Sequence, residues 1–409
     1  MKKNTQLSQP DYKIVIERNV PIYMSDGTLL RADVHRPDSN EKFPVLVERT
    51  PYSKEASSET AYGTAEFYAS RGYVCVFQDV RGRFSSEGEF YPFRDDGLGK
   101  HKDGHDTVKW ASEQSWSNGR IGTIGGSYSG ATQYQMLSDP PPQLVAQFVR
   151  QSSSDYHNEW VYRSGALELG FNFSWTVRHT STHARKWAPA GKSQQYEKYM
   201  EQTFQHMRDL MWKLPLTDFT KLIDLSPWYQ DWLNNPDYGS YWEAINVSRI
   251  HDQVNIPIYH LGGWYDCFLK GTIDNFNGMQ QLAKTNSARE NQKLLIGPWV
   301  HGPDSVGSSG CGEMSFGDNA KIGIFELRLE WFDFWLKGIQ NRVPEMPPVK
   351  IFTMGSNKWQ HFSKWPPQPT RLTPLFFRKG NSFTTDSLND GNLSYSRPEN
   401  SEQGDVYKY

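Results

Sequence analysis

The stretch Ile121-Gly-Thr-Ile-Gly-Gly-Ser-Tyr-Ser-Gly130 constrains this chain more than any other. A short apolar run, Ile121 to Ile124, is followed at once by Gly125-Gly126-Ser127-Tyr128-Ser129-Gly130, and then by the small or helix-compatible residues 131–137. Strand, tight glycine turn and helix is the context that turns G-x-S-x-G from a loose string into a candidate nucleophile elbow. On such a turn a serine is pushed out of the sheet with its Oγ bare, and small flanking residues let strand and helix pass close to it. Ser127 is then the candidate nucleophile. The bare string suits a glycine-rich turn with a solvated serine equally well.

The surrounding pattern alternates strands with helices. Residues 12–24 alternate apolar and polar positions and read as an edge strand, turning at Ser25-Asp26-Gly27 into a hairpin partner over 29–35. Residues 43–47 form a short buried strand, 61–71 a helix stopped by Gly72, and 73–80 a second apolar strand. A helix over 103–114, with Asp103 or Asp106 near its start, precedes the elbow; a strand over 144–149 follows it. Such alternation specifies an α/β domain with a largely parallel sheet, here over 1–150.

Residues 153–248 differ. They are dense in Trp, Tyr, Gln and His at helix-like spacing, with no clear strand, and define a helical cap or lid over 151–249. The α/β pattern resumes over 250–343, with strands at 256–261 and 293–296, a helix at 271–282 and an amphipathic helix at 321–336 closed by Gly338. Past the linker 344–348, short strands at 349–353, 370–377 and 405–409 suggest a C-terminal β segment, 349–409. That is short of the ~100 residues of an independent sandwich, so the segment reads as incomplete.

Composition narrows the partners. A chain of 409 residues exceeds one compact core, and a net charge of −2 argues against nucleic acid or an anionic membrane surface. Cys75, Cys267 and Cys311 are too few for a disulfide framework and lack the paired spacing of a zinc site, so neither metal nor cofactor is expected. No apolar run approaches the roughly 20 residues that span a bilayer. The basic start Met1-Lys-Lys-Asn4 has no apolar stretch behind it, and the expectation is a cytoplasmic protein without a membrane partner.

A serine hydroxyl is a weak nucleophile unless a base takes its proton and a carboxylate orients that base. Two resumed strands end in Asp266 and His301, giving the order Ser, Asp, His with each group at a strand end. His301 is the candidate base and Asp266 its orienting acid; a strand-end polar residue and a loop turn former are their plain alternatives. An oxyanion hole needs two donors. The Tyr128 N–H, directly after the nucleophile, is one. The second should come from a loop after an earlier strand, where Tyr52 stands, although a tyrosine beside a proline also suits loop packing.

Six blocks then occur in a fixed order: Arg49-Thr-Pro-Tyr52; Gln78-Asp-Val-Arg-Gly-Arg83 with Ser86-Glu-Gly-Glu-Phe90; Asp103 to Trp110; Gly125-Gly-Ser-Tyr-Ser-Gly130; Gly262-Gly-Trp-Tyr-Asp266; and Gly297-Pro-Trp-Val-His301. Together they resemble the cocaine esterase and X-Pro dipeptidyl-peptidase group of α/β-hydrolases, which also includes α-amino acid ester hydrolases and glutaryl acylases. The resemblance implies an α/β-hydrolase fold with a helical cap insertion and a C-terminal jelly-roll, longer in relatives than the segment here. It implies Ser127 as nucleophile, Asp266 as triad acid, His301 as triad base, and the Tyr52 hydroxyl beside the Tyr128 amide as oxyanion hole.

Amino acid ester hydrolases carry carboxylates just after the triad acid that hold a substrate ammonium; this chain has Cys267, Phe268 and Leu269 there. Glu159 stands where a third such carboxylate would be. Phe268 resembles an acyl-pocket aromatic of the cocaine esterases, and Trp160 in the cap faces the same pocket on that resemblance; plain core packing suits both as well. The implied function is hydrolysis of carboxylic esters, less often amides, by a serine hydrolase working through a Ser127 acyl-enzyme on a small-molecule substrate. An X-Pro dipeptidyl-peptidase is the alternative within the group. An inactive fragment or binding module that kept the fold is the alternative of another class. A homo-oligomer is left open.

Overall fold

A computed structural model describes residues 7–56, 63–371, 376–378 and 382–384. Two compact units are present, Met1–Trp365 and Pro366–Tyr409. In the second, β15 (Phe376–Arg378) pairs antiparallel with β16 (Ser382–Thr384). The strand expected at 405–409 lies outside the described residues.

The first unit is built on one ten-stranded sheet. Its N-terminal edge is the hairpin β1 (Ile14–Tyr23) and β2 (Leu29–Pro37), joined through Gly27 at φ 84°. Then come β3 (Phe43–Thr50), β4 (Val74–Asp79), β5 (Ser117–Gly126) and β6 (Leu144–Arg150). After an excursion the chain returns with β9 (Ile258–Tyr265), β10 (Lys293–Val300), β13 (Val349–Thr353) and β14 (Lys358–Phe362). The spatial order is β1-β2-β4-β3-β5-β6-β9-β10-β13-β14. From β4 to β13 all neighbours are parallel, and the edge pairs are antiparallel. Every residue of β3 and β4 is buried, as expected of central strands covered on both faces, whereas β1 keeps exposed positions along its length.

Strand alternation assigns each side chain to one of two cores. Leu46, Cys75, Phe77, Ile124 and Phe148 share one face with α1 (Thr64–Ala69) and the long helix Ile324–Lys337. Val45, Val47, Val74, Val76 and Ile121 share the other with α2 (Asp103–Glu113) and α3 (Tyr128–Gln135). A Cβ on Gly122 would meet Phe332 Cε1 at 2.6 Å, so a glycine is required where the long helix crosses β5. Arg120 caps that helix's C-terminus by donating to the Leu336 and Trp335 carbonyls, and Gly338 closes it at φ 72°.

The sheet order fixes where a site can form. From β3 the chain steps to β4 on one side and then to β5 on the other, and this reversal leaves a crevice at the carboxyl ends of β3 and β5. Ser127 follows β5 and Tyr52 follows β3. Asp266 and His301 follow β9 and β10, farther along the same sheet edge.

Between β6 and β9 the chain leaves the sheet for a mainly helical excursion. It includes α4 (Leu169–Ser181), α5 (Ser193–Gln205) and α6 (Pro227–Asn234), whose Trp175, Trp228 and Trp232 are buried. Sequence spacing indicates no strand here; the structure has one hairpin, β7 (Tyr162–Arg163) with β8 (Ala166–Leu167), too short for alternation to register. After it, α7 (Leu269–Leu282) bridges β9 to β10, and α8 is the long helix Ile324–Lys337. A second small hairpin, β11 (Gly310–Cys311) with β12 (Met314–Ser315), lies in the loop beyond His301.

One further expectation differs from the structure. Residues 349–353, read as the first strand of a separate β segment, instead form β13 and extend the central sheet beside β10. The reason is apolar: Val349 and Ile351 close a small core with Phe276, Leu294 and Ile296. Asp103 and Asp106 both stand in the first turn of α2, as expected, and the Asp103 carboxylate accepts two hydrogen bonds from Arg81, at 2.9 and 2.6 Å.

Candidate active site

The elbow begins with backbone geometry. Ser127 sits at φ 58° and ψ −123°, a conformation that costs a non-glycine residue on the order of 1–3 kcal/mol and persists only when its surroundings impose it. Here the Ser127 N–H faces the Arg150 and Gln151 carbonyls at 3.0 and 3.2 Å, which locks the turn to the end of β6. Close approach sets the flanking residues. A Cβ on Gly125 would meet Ser129 Cβ at 2.6 Å, and one on Gly130 would meet Ser152 Cβ at 2.7 Å.

Three side chains from three strand ends then form one hydrogen-bonded line. His301 Nε2 lies 3.0 Å from Ser127 Oγ, and His301 Nδ1 lies 2.8 Å from Asp266 Oδ1. With Asp266 ionised, Nδ1 carries the proton, and Nε2 is left as the acceptor facing the serine. The Asp266 side chain is fully buried while 28% of the His301 side chain is exposed, so the acid is sheltered and the base reaches solvent. The Phe268 N–H also donates to Asp266 Oδ1, at 3.2 Å. Beside this carboxylate, burial and the charge of Asp266 push the Cys267 thiol up to about 12, so its sulfur stands as a thiol 3.8 Å from Asp266 Oδ1.

Tyr52 reaches the same serine, its hydroxyl 3.3 Å from Ser127 Oγ. Burial raises the phenol above its ordinary value; Ser127, the Trp175 indole and the Tyr128 N–H pull it partly back. The hydroxyl is therefore a neutral donor at neutral pH, and it shares its position with the Tyr128 amide at the N-terminus of α3. The Tyr128 side chain points elsewhere, accepting from the Phe93 N–H at 3.0 Å.

An apolar wall adjoins the base. Phe268 meets the His301 ring edge-on, with centroids 4.9 Å apart, and stacks on Trp160 at 4.3 Å with planes 14° apart. Trp160 in turn packs against Phe171, Trp175 and Tyr128, so aromatic contact runs unbroken from the elbow to the base. Glu159 turns away from this role. Its carboxylate accepts from the Ser154 and Asp155 N–H groups and pairs with Lys270 at 3.0 Å. Burial pushes it up to about 7.

Three residues to which the sequence alone assigns no role complete the site. The Gln151 side chain donates to the Val300 carbonyl at 2.7 Å and accepts from the Gly302 N–H at 3.0 Å, clamping both peptide groups that flank His301. Arg83, fully buried, donates to the Pro51 carbonyl, the His179 carbonyl and Thr182 Oγ1, tying the residue before Tyr52 to α4 and the turn after it. Burial brings its guanidinium down to about 9, with Asp79 pulling it partly back. Trp175 stacks on the Tyr128 ring. The Arg83 block is visible in the sequence as a motif; the Gln151 clamp joins groups 149 positions apart and leaves no local trace.

Sheet order, strained elbow and the Asp–His–Ser line are those of an α/β-hydrolase with a nucleophilic serine. The sequence matches the X-Pro dipeptidyl-peptidase (S15) family over residues 26–303, and the chain belongs to that family of serine hydrolases. It is 30% identical over 407 residues to the cocaine esterase of Rhodococcus sp. (strain MB1 Bresler), covering 96% of this chain and 67% of that protein. An α-amino acid ester hydrolase structure superposes with a TM-score of 0.70 at 22% identity, covering 96% of this chain and 66% of the other. An aminopeptidase from a marine sediment Thaumarchaeota archaeon superposes with a TM-score of 0.68 at 21% identity, covering 94% and 64%. The chain thus spans about two thirds of the length of these relatives.

Proposed function

We propose that this chain hydrolyses carboxylic esters through an acyl-enzyme on Ser127. His301 Nε2 takes the Ser127 proton as Oγ attacks the ester carbonyl, and Asp266 holds the imidazolium that forms. The carbonyl oxygen, now an alkoxide, receives hydrogen bonds from the Tyr128 N–H and the Tyr52 O–H. His301 returns the proton to the leaving alcohol; a water molecule then repeats the sequence to release the acid. The observation that carries this reading is the single Ser127 Oγ reached by both His301 Nε2 and the Tyr52 hydroxyl.

Two features favour a neutral ester over a substrate anchored by a free amine. The residues after Asp266 are Cys267, Phe268 and Leu269, which offer no carboxylate, and Glu159 is already paired with Lys270. In this reading 1–150 and 250–343, extended by β13 and β14, form the hydrolase core, 151–249 the cap that brings Trp160 to the acyl side, and the remainder of 349–409 the C-terminal β segment. Cys75, Cys267 and Cys311 are the cysteines of the chain and sit buried or half-buried, and a reducing, cytoplasmic location suits them. Among the described residues no helix is long and apolar enough to cross a membrane.

The dipeptidyl-peptidase reading is favoured by the family description, and kinetics separate the two. The chain is expected to turn over p-nitrophenyl butyrate with saturable kinetics and to leave Gly-Pro-p-nitroanilide intact. Turnover of the anilide that disappears when its amino terminus is acetylated would overturn the ester assignment in favour of the peptidase.

A further inference from the structure

Cys267 has no part in the proposed hydrolysis, yet its sulfur stands inside a donor set. Cys267 Sγ, an Asp266 carboxylate oxygen and a His301 ring nitrogen all lie within 4.8 Å of one another, the one such set among the described residues. Thiolate, imidazole and carboxylate are the donors that zinc and its heavier congener cadmium select, with bonds of about 2.3 Å to sulfur and about 2.0–2.2 Å to nitrogen and oxygen. Tetrahedral bonds of those lengths separate the donor atoms by roughly 3.3–3.7 Å. The two separations from the carboxylate bracket this range, 2.8 Å from His301 Nδ1 to Asp266 Oδ1 and 3.8 Å from Cys267 Sγ to the same oxygen, and the sulfur lies within 4.8 Å of the imidazole nitrogen. Small side-chain rotations therefore close the set.

A second observation points to a ligand at this place. Asp266 Oδ2 is buried with no hydrogen-bond partner, although the carboxylate has room for further bonds. Oδ1 is the oxygen that faces Cys267 and His301, so a cation held by both carboxylate oxygens would satisfy that orphan as well. Access exists, because Cys267 and His301 are both partly exposed.

We propose that Asp266, Cys267 and His301 form an inhibitory site for a thiophilic divalent cation, with zinc as the type ion. This rests on the hydrolase reading, since the inhibition acts through the triad. The cation takes the lone pairs of the Cys267 sulfur and His301 Nδ1; the thiol proton leaves to water, the ring proton passes from Nδ1 to Nε2, where it blocks the nitrogen that faces Ser127, and Asp266 supplies the third bond. Nδ1 then no longer donates to Asp266, the imidazole turns with the metal, and Ser127 loses its base. Water fills the fourth position. Metal release restores the triad because no covalent bond of the protein has broken.

The test joins kinetics with a binding signal that needs no turnover. Zinc chloride is titrated into p-nitrophenyl butyrate hydrolysis by the wild type, Cys267→Ser and Cys267→Ala, each scaled to its own metal-free rate. In parallel, cadmium chloride is titrated while the ultraviolet cadmium–thiolate charge-transfer band is followed. Wild type should lose activity saturably and regain it with EDTA, and either substitution should raise the midpoint ~10-fold or more, as loss of a ligand requires. The cadmium band should appear in wild type and vanish in the variant that keeps the wild-type melting profile. Equal zinc midpoints in wild type and variant, or a cadmium band independent of Cys267, overturns the site. Should the protein hydrolyse no ester at all, the cadmium band still decides whether the cation binds.

Discussion

Ser127 carries strain that the neighbouring peptide groups impose, and the result is an Oγ presented to two groups at once: His301 as proton acceptor and Tyr52 as hydroxyl partner. The two have separable roles. In the proposed mechanism His301 acts on the serine proton, whereas the Tyr52 hydroxyl gains most once negative charge develops on the substrate oxygen. Its loss therefore falls on the transition state and spares ground-state binding. Tyr52→Phe is expected to lower kcat ~100-fold with KM little changed, in steady-state assays on an aryl ester. A change confined to KM would place Tyr52 in substrate packing instead. The same scale shows what a sequence can carry. Ser127, Asp266 and His301 are legible because each ends an apolar strand within a short glycine-bearing block. Cys267 and Gln151 are not, because what distinguishes them is a neighbour brought close only by the sheet.

Between elements, the site is held by links across strand ends. Gln151, just past β6, meets the peptide groups on both sides of His301, just past β10, while its own carbonyl faces the Ser127 N–H. One residue thus couples the elbow to the base loop. Gln151→Ala should lower kcat about 10- to 100-fold through misplacement of the imidazole. It should also cost on the order of 1–3 kcal/mol in urea unfolding, since two peptide groups lose a buried partner. Unfolding free energy that falls while kcat holds would reduce Gln151 to a packing role. Arg83 makes the corresponding link on the oxyanion side, from the Pro51 carbonyl to α4. The strands and amphipathic α8 follow from apolar runs and periodicity. The membership of β13 in the central sheet does not, because its pattern is that of any short buried strand and only the partner decides. The hairpin β7–β8 is likewise too short to leave a period.

For the molecule as a whole, the two cores flanking the sheet also bury groups that titrate. His260, fully buried on β9, lies between the Tyr134 hydroxyl at 2.7 Å and Gln292 Oε1 at 2.9 Å. Burial lowers its pKa from 6.5 to about 3. A depressed histidine binds its proton more readily in the unfolded chain, so its contribution is complete above pH 6.5 and is lost as pH falls from 6.5 towards about 3. His260→Gln should lower the melting temperature at pH 8, and the gap to wild type should close progressively as pH is brought towards 4. Melting curves that stay parallel across that window would contradict the assignment of a neutral, buried imidazole. The arrangement of sheet, cap and strand ends finally rests on one chemical claim, that Ser127 is an activated nucleophile. Incubation of the folded protein with a fluorophosphonate, followed by peptide mapping by mass spectrometry, tests it directly. One phosphonyl adduct is expected, on Ser127, absent from Ser127→Ala and slowed strongly in His301→Ala. No adduct on folded protein, or one that persists in Ser127→Ala, would contradict it.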